Sequence, residues 1–319
     1  MSAHIPEALD LQQLKRELGP FSFRDDAGNS DLAMRYFRYY GIDFENRFDV
    51  RHRFGYLQDG GFNIALHHFC PDNPRGTVFI LHGYYDHVGI YAHPIEYFLA
   101  ANYAVVCYDQ PGHGLSTGER VSIDSFDQYV AVLANCLSFC DSHCPGPWHI
   151  VGQSMAGAVI MTYLLVNRYT MENCPFERIV LLAPLVHPNG WRIGKWMHAL
   201  GKFIIKQQNR VFVTNSHDQH FLTFLRNNDS LQSTILPMRW VTALKAWLRE
   251  FSLLPTSSLG IVVIQGTDDQ TVDWSYNMEI VRDKFPGVTI HYLAGGRHQL
   301  VNESEPFRKS VTELLDTIF

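Results

Sequence analysis

One serine stands between a β-branched apolar run and a run of small residues, in the stretch WHIVGQSMAGAVIM (148–161). Gly152 lies two residues before Ser154, and Ala156 lies two residues after it. A tight strand-to-helix turn needs such small neighbours, and it can hold a serine hydroxyl out as a nucleophile. The alternative is that Ser154 is an ordinary turn residue. Nucleophilic chemistry is predicted only if a base and an orienting carboxylate accompany it.

A base and a carboxylate are found further along the chain, in the order Ser154, Asp269, His298. Asp269 and His298 each follow a predicted strand, so both belong to the sheet edge where the carboxyl ends of parallel strands meet. Asp268 is the direct alternative to Asp269, while Asp273 has the position of a helix cap. We predict Ser154 as nucleophile, His298 as base, and Asp269 or its neighbour Asp268 as the residue that orients the base.

The sequence also predicts two backbone donors for an oxyanion. His82 and Gly83 end an earlier predicted strand, and Tyr84 follows them. The N–H groups of Tyr84 and Met155 are therefore predicted to face one carbonyl oxygen, with Met155 at the start of a helix.

The elements that must position these residues form an α/β pattern. Near-continuous apolar strands alternate with helices, which indicates a mostly parallel central sheet with helices on both faces. The predicted strands are Thr77–Leu81, Ala104–Tyr108, His149–Gly152, Ile179–Leu182, Ile261–Gln265 and Thr289–Tyr292. The predicted helices are 91–101, 123–142, 155–168, 273–284 and 305–318, with Ser122 or Asp124 as the cap of the second.

The alternation stops between Pro184 and Leu254, where the sequence predicts no strand. A structureless loop of that length is unusual, so residues 186–254 are predicted to be a mainly helical cap. The core is predicted to comprise residues 56–185 and 255–319. Residues 1–55 are predicted to be an N-terminal extension packed on it.

Within the cap, a helix is predicted over residues 189–210, with basic and apolar residues on separate faces. Trp196, Met197 and Leu200 are predicted to contact substrate from its apolar face. The same helix has the composition of a membrane-surface helix, so transient contact of the cap with a membrane is a second prediction.

Composition excludes some classes of function. The net charge of −6 gives no attraction to nucleic acid. Without a signal-like N-terminus the protein is predicted to be cytoplasmic, peripheral to the membrane if the cap contacts lipid. The six cysteines are predicted to be reduced, and Cys136, Cys140 and Cys144 are interpreted as buried helix residues rather than metal ligands.

With these parts in place, the sequence resembles the α/β-hydrolases that include monoacylglycerol lipases and bacterial lysophospholipases (the serine aminopeptidase S33-like family). The resemblance implies the α/β-hydrolase fold, Ser154 as nucleophile, His298 as base and the two donor roles given above. It also favours Asp269 over Asp268 as the orienting carboxylate. Asp86 and Ile90 depart from it, because members often have Glu and Arg there. Asp109, His113 and Ser116 are expected to brace loops. The segments that carry the resemblance are HGYYDHVGIY (82–91), YDQPGHGLSTGER (108–120), GQSMAG (152–157), QGTDDQTVD (265–273) and GGRHQLVNE (295–303).

The sequence therefore predicts a serine hydrolase that needs no cofactor and no metal. The expected substrate is a small lipid or ester, and the resemblance implies a single-acyl lipid, either monoacylglycerol or lysophospholipid. A small-ester carboxylesterase and a thioesterase are alternatives within the enzyme class. The alternative from another class is a non-catalytic ligand-binding protein on a hydrolase fold.

Overall fold

A central eight-stranded sheet organises the protein. The computed structural model describes residues 9–24, 28–191 and 206–319. The strands of the sheet are β1 (Val50–Asp59), β2 (Phe62–Pro71), β3 (Thr77–Leu81), β4 (Ala104–Tyr108), β5 (Trp148–Gln153), β6 (Phe176–Leu182), β9 (Val262–Gly266) and β10 (Thr289–Leu293). The strand order in the sheet is β1-β2-β4-β3-β5-β6-β9-β10. Strand β2 is antiparallel to both β1 and β4, and all other neighbouring strands are parallel.

Helices cover the sheet and fill the connections between its strands. Two short strands, β7 (Gln207–Asn209) and β8 (Ile235–Pro237), form a separate antiparallel pair between β6 and β9. The helices of the described residues are α1 (Leu11–Glu17), α2 (Asp31–Tyr40), α3 (Ala92–Ala100), α4 (Phe126–Cys140), α5 (Met155–Val166), α6 (Gln219–Asn227), α7 (Met238–Leu253), α8 (Trp274–Lys284) and α9 (Glu305–Ile318).

The sheet is buried on both faces, as its apolar strands require. All five side chains of β3 are buried, and the four apolar ones alternate between two apolar clusters. Phe79 and Leu81 enter one cluster, whereas Val78 and Ile80 enter the other. Because successive side chains of a strand point to opposite faces, the two clusters are the two layers between sheet and helices. This confirms the predicted α/β fold class.

The predicted strands and helices of the core are confirmed to within a few residues, but the structure contains features that were not predicted. Strands β7 and β8 lie in the segment where no strand was predicted. The hairpin β1–β2 was missed, and the proposed boundary at residue 55 falls inside β1. The cap of α4 is Ser125, whose hydroxyl accepts the N–H of Asp127, and not Ser122 or Asp124. The division into extension, core and cap stays a prediction.

The cysteines of α4 behave as apolar residues. Cys136 and Cys140, with Cys144 just beyond the helix, are buried in the same cluster as Phe79. No group of three potential metal ligands occurs in the described ranges. None of the helices that the structure describes is long and apolar enough to cross a membrane.

Candidate active site

Ser154 occupies a strained turn between β5 and α5. Its φ of 55° and ψ of −113° lie in a region that side-chain-bearing residues rarely adopt. The turn is tightly packed, since a Cβ atom at Gly152 would lie 2.4 Å from the Ile160 Cδ1. A Cβ atom at Gly157 would lie 2.7 Å from the Cβ of Pro184. The small residues of this motif are therefore required by close contacts, and the methyl group of Ala156 is accommodated.

His298 links the serine to the carboxylate. Its Nε2 lies 2.8 Å from the Oγ of Ser154, and its Nδ1 lies 2.7 Å from the Oδ2 of Asp269. All three side chains are buried. The side-chain amide of Gln153 donates a 2.7 Å hydrogen bond to the backbone oxygen of His298, which fixes the loop that carries the imidazole. The structure thus brings together the three residues that the sequence predicted, in hydrogen-bond contact.

Asp269 is held by several donors besides His298. Its Oδ1 accepts the N–H groups of Thr271 at 2.8 Å and Val272 at 3.1 Å, and its Oδ2 accepts the amide of Gln265 at 3.1 Å. Burial alone would raise the pKa of the Asp269 carboxyl, but the charge and hydrogen bond of His298 and the two N–H groups lower it. The carboxylate is therefore ionised at neutral pH, as an orienting group for an imidazole must be.

The alternative carboxylates are occupied elsewhere. Asp268 is partly exposed and lies 3.3 Å from the Nε of Arg297. Asp273 is the N-cap of α8 and accepts the N–H of Tyr276. Of the three candidates, Asp269 is the one in contact with His298.

The predicted oxyanion donors lie just beyond the carboxyl ends of neighbouring strands of the sheet. Tyr84 follows β3 and Met155 follows β5, and these two strands are paired in parallel. A Cβ atom at Gly83 would lie 3.2 Å from the Cβ of Ser154, so the turn after β3 passes directly beside the serine. Within the described part of the chain, neither the Tyr84 N–H nor the Met155 N–H has a hydrogen-bond acceptor. Both remain available to a ligand.

Asp109 and its neighbours brace the loops around this site, as expected. The carboxylate of Asp109 accepts the N–H groups of Val88 and Leu115, each at 2.7 Å. The hydroxyl of Ser116 donates to the backbone oxygen of Asp109 at 2.6 Å. The His113 Nδ1 lies 2.9 Å from the backbone oxygen of Pro111. All these contacts are internal, so they shape the loops rather than reach a ligand.

A cavity of about 410 Å³ opens above Ser154. Trp240 forms part of its wall and stacks on Tyr84, with ring centroids 3.8 Å apart. Its apolar lining residues include Leu185, Leu236, Met238, Trp240, Val241, Leu244 and Val272. Its polar lining residues include Asp86, Asn209, Arg210, Asn215 and Gln299. A volume of several hundred Å³ lined by both apolar and polar groups is typical of a small-molecule site.

The predicted cap helix is only partly described. Trp196, Met197 and Leu200 lie outside the described residues. At its C-terminal end the prediction was wrong, because Gln207–Asn209 form strand β7 instead of continuing a helix to residue 210. Arg210 was assigned to the basic face of that helix, whereas in the structure it lines the cavity.

Sequence reasoning also missed a buried contact behind the site. Asp229, from the segment between β6 and β9, lies 2.9 Å from the Nε2 of His87 and accepts the hydroxyl of Tyr40 at 2.7 Å. His87 is part of HGYYDHVGIY, one of the segments that carry the family resemblance, but no role was predicted for it. Asp229 has no local signal, because its partners are 142 and 189 residues away.

The sheet order and the position of the serine turn define the protein as an α/β-hydrolase. The chain belongs to the family described as Serine aminopeptidase, S33, whose model matches residues 72–305. Monoacylglycerol lipase of Mycolicibacterium smegmatis is 33% identical over 130 residues, which cover 40% of this chain and 45% of that protein. Phospholipase YtpA of Bacillus subtilis is 25% identical over 248 residues, covering 73% and 92% of the two chains.

Solved structures agree with the fold. A soluble variant of monoglyceride lipase from Saccharomyces cerevisiae, in complex with a substrate analog, is similar with a TM-score of 0.69. That similarity covers 82% of this chain and 92% of the yeast chain at 15% identity. At this identity the similarity supports the fold of the protein and does not identify its substrate.

Proposed function

We propose that this protein hydrolyses carboxylic esters of single-acyl lipids, monoacylglycerol or lysophospholipid, with Ser154 as nucleophile. The observation that carries the proposal is the hydrogen-bonded series Ser154, His298 and Asp269, whose serine and histidine line a cavity that also has many apolar lining residues. A binding protein requires no base within 2.8 Å of a strained serine. The names of the lipase and phospholipase relatives support the same chemistry.

In this mechanism His298 removes the proton from the Oγ of Ser154 as the oxygen attacks the ester carbonyl. The N–H groups of Tyr84 and Met155 hold the oxyanion, and loss of one such donor typically costs about 3 kcal/mol. Asp269 fixes the tautomer of His298 and stabilises the imidazolium. His298 then donates its proton to the leaving alcohol, and the fatty acyl group remains bound to Ser154.

Water completes the reaction. His298 accepts a proton from a water molecule, the resulting hydroxide attacks the acyl carbonyl, and the fatty acid leaves as Ser154 regains its proton. The acyl chain is proposed to lie along Trp240, Val241 and Leu244, where it removes apolar surface from water. The polar lining residues of the cavity are proposed to receive the alcohol part of the ester.

Fatty-acid release from monooleoylglycerol, oleoyl-lysophosphatidylcholine and a short-chain aryl ester tests the proposal, with Ser154→Ala as the comparison. We expect turnover of at least one lipid, reduced by roughly 10⁴-fold or more in the variant. Activity on the aryl ester alone would favour the small-ester carboxylesterase. Absence of Ser154-dependent release from all three would favour the ligand-binding alternative.

A further inference from the structure

Arg210 is a cationic residue in the lining of the cavity. Its Cζ lies 3.9 Å from the centre of the Tyr85 ring and 4.4 Å from that of Phe212, so the charge is flanked by two aromatic side chains. One guanidinium nitrogen, Nη1, donates to the Oε1 of Gln232 at 2.6 Å and to the backbone oxygen of Ser233 at 3.3 Å. These contacts fix the guanidinium beside the cavity and supply neutral acceptors for one of its nitrogens.

The contact with Tyr85 ties Arg210 to the loop beside the nucleophile. Tyr85 directly follows Tyr84 and has a φ of 72°, an unusual backbone conformation for an aromatic residue. Strained residues of this kind persist where the surroundings hold them, and they cluster at binding sites. The guanidinium of Arg210, which follows β7, therefore packs against the loop that supplies the Tyr84 N–H.

The charge of Arg210 has no carboxylate partner among the residues that the structure describes. Two carboxylates, Asp86 and Asp229, are near enough for their charges to raise the pKa of Arg210, but both are hydrogen-bonded to other groups. Asp86 accepts the hydroxyl of Tyr91 at 3.0 Å and the amide of Gln299 at 2.8 Å. Asp229 is bonded to His87 and Tyr40 in the contact described above. Burial lowers the pKa of Arg210, which is the expected effect of removing a cation from water.

Arg210 is a partly buried cation with no carboxylate in direct contact among the described residues, and an anionic ligand would offset the cost of removing its charge from water. The planar guanidinium matches two oxygens of a phosphate, and such charge-assisted pairs are the strong ones. We propose that Arg210 binds a phosphate group in the alcohol part of the substrate, so the preferred ester is an anionic lysophospholipid rather than a monoacylglycerol. This inference rests on the proposed ester hydrolysis. The products are a fatty acid and a phosphorylated glycerol.

The kinetic test compares the wild type with Arg210→Gln and Arg210→Lys. The substrates are oleoyl-lysophosphatidylglycerol and monooleoylglycerol, each in micelles of a neutral detergent. We expect Arg210→Gln to lower kcat/KM for the anionic lipid by about 10- to 100-fold, the effect of losing one charge-assisted contact. The change for monooleoylglycerol should be below about threefold. Arg210→Lys keeps the charge but not the planar fork, so it should recover part of the loss.

Arg249→Gln is the matched control, because it removes the same charge from an exposed position of α7. It should leave both substrates unchanged. An equal loss on both lipids in Arg210→Gln, or a loss in Arg249→Gln of the same size, would overturn the proposal. Circular dichroism at increasing temperature establishes that each variant is folded.

A binding measurement separates this inference from the proposed function. Ser154→Ala, alone and combined with Arg210→Gln, is titrated calorimetrically with dodecyl phosphate, dodecyl glycerol ether and inorganic phosphate. The proposal predicts that dodecyl phosphate binds to Ser154→Ala at least about tenfold more tightly than the ether does. This difference in affinity should be lost when Arg210→Gln is added. Such binding without any lipid hydrolysis would refute the proposed function alone. Hydrolysis with equal binding of phosphate and ether would refute the inference alone.

Inorganic phosphate identifies the source of the anion. If it binds as tightly as dodecyl phosphate, the occupant of the Arg210 site is a free phosphate and the headgroup proposal is wrong.

Discussion

The contact between Asp229 and His87 should contribute strongly to stability. Asp229 joins the segment between β6 and β9 to α2 through Tyr40, and to the loop after β3 through His87. Both charged side chains are fully shielded from solvent. We predict that Asp229→Asn lowers the free energy of unfolding by several kcal/mol, although the change in side-chain volume is minimal.

The magnitude follows from the pair itself. Burial alone would raise the pKa of Asp229, but the charge of His87 and the hydrogen bonds from His87 and Tyr40 lower it to about 2 from its ordinary 3.8. That difference corresponds to about 2 kcal/mol. Removing one member of a buried pair typically costs about 3–5 kcal/mol, because the other charge is left uncompensated. We therefore expect a loss of about 2–5 kcal/mol, part of the roughly 5–15 kcal/mol of a folded protein.

The pH dependence has a definite sign. Burial alone would lower the pKa of His87, but Asp229 raises it above its ordinary 6.5. The contribution of His87 is therefore complete below pH 6.5 and lost as the pH rises through the raised value. The contribution of Asp229 is complete above pH 3.8 and lost as the pH falls through about 2. The pair stabilises most between pH 3.8 and 6.5.

Urea unfolding followed by tryptophan fluorescence, at about pH 5.5 and about pH 9, measures this effect. Asp218→Asn is the control, since Asp218 caps α6 and asparagine caps a helix equally well. The difference between wild type and Asp229→Asn should be larger at the lower pH. A loss below about 1 kcal/mol at both pH values, or an equal loss in the control, would refute the reasoning.

Three further substitutions test the site itself. Gly83→Ala places a Cβ 3.2 Å from the Cβ of Ser154, so kcat should fall by about 10- to 100-fold with the protein still folded, as measured by ester turnover and circular dichroism. Asp269→Asn should lower kcat by about 10⁴-fold. Because the pKa of Asp269 is lowered, an acid loss of wild-type activity above pH 3.8 should not come from this carboxyl, which a pH–rate profile checks. Leu244→Trp places a larger side chain at an apolar position of the cavity lining. It should reduce kcat/KM for an eighteen-carbon ester relative to an eight-carbon ester by about tenfold, as measured by fatty-acid release.

Each of these has a contrary outcome. An unchanged kcat in Gly83→Ala would place the reacting carbonyl away from this turn. Full activity of Asp269→Asn would assign the orienting role to another group. An unchanged preference for chain length in Leu244→Trp would mean that the acyl chain does not contact the cavity-lining residues of α7.

The core and the triad could be predicted because their signals are local. Strands such as β3 are buried on both faces, so an unbroken apolar run marks them directly. Ser154, Asp269 and His298 each follow such a strand, and the parallel arrangement then places them at one edge. The structure adds what spacing cannot give, namely which of the adjacent carboxylates, Asp268 or Asp269, turns towards His298.

The hairpin β1–β2 was missed although its turn carried a signal. Gly60 and Gly61, both with positive φ, form the two-residue loop between strands in which Asp59 pairs with Phe62. Polar residues in β1 and the adjacent pair His67 and His68 in β2 obscured the hairpin. His52 of β1 is nevertheless buried, with its ring 4.1 Å from that of Phe37 in α2. Contacts with α2, rather than strand propensity, bury positions of β1 such as His52.

Arg210 and Asp229 were beyond sequence reasoning for a different reason. Each acts through contacts with residues far away in the chain, Arg210 with Tyr85 and Asp229 with His87. Charge alone suggested a solvated position for Arg210, because charged residues are mostly exposed. Only the folded chain brings these side chains to the loop beside Ser154.

The most direct test of the account is covalent labelling of Ser154 by a fluorophosphonate, followed by mass spectrometry of the intact protein and its peptides. The account predicts one adduct per chain, on the peptide that contains Ser154. Labelling should be absent in Ser154→Ala and slowed by roughly 10³-fold or more in His298→Ala, because the base activates the hydroxyl. An adduct on another residue, or equally fast labelling without His298, would contradict the central claim.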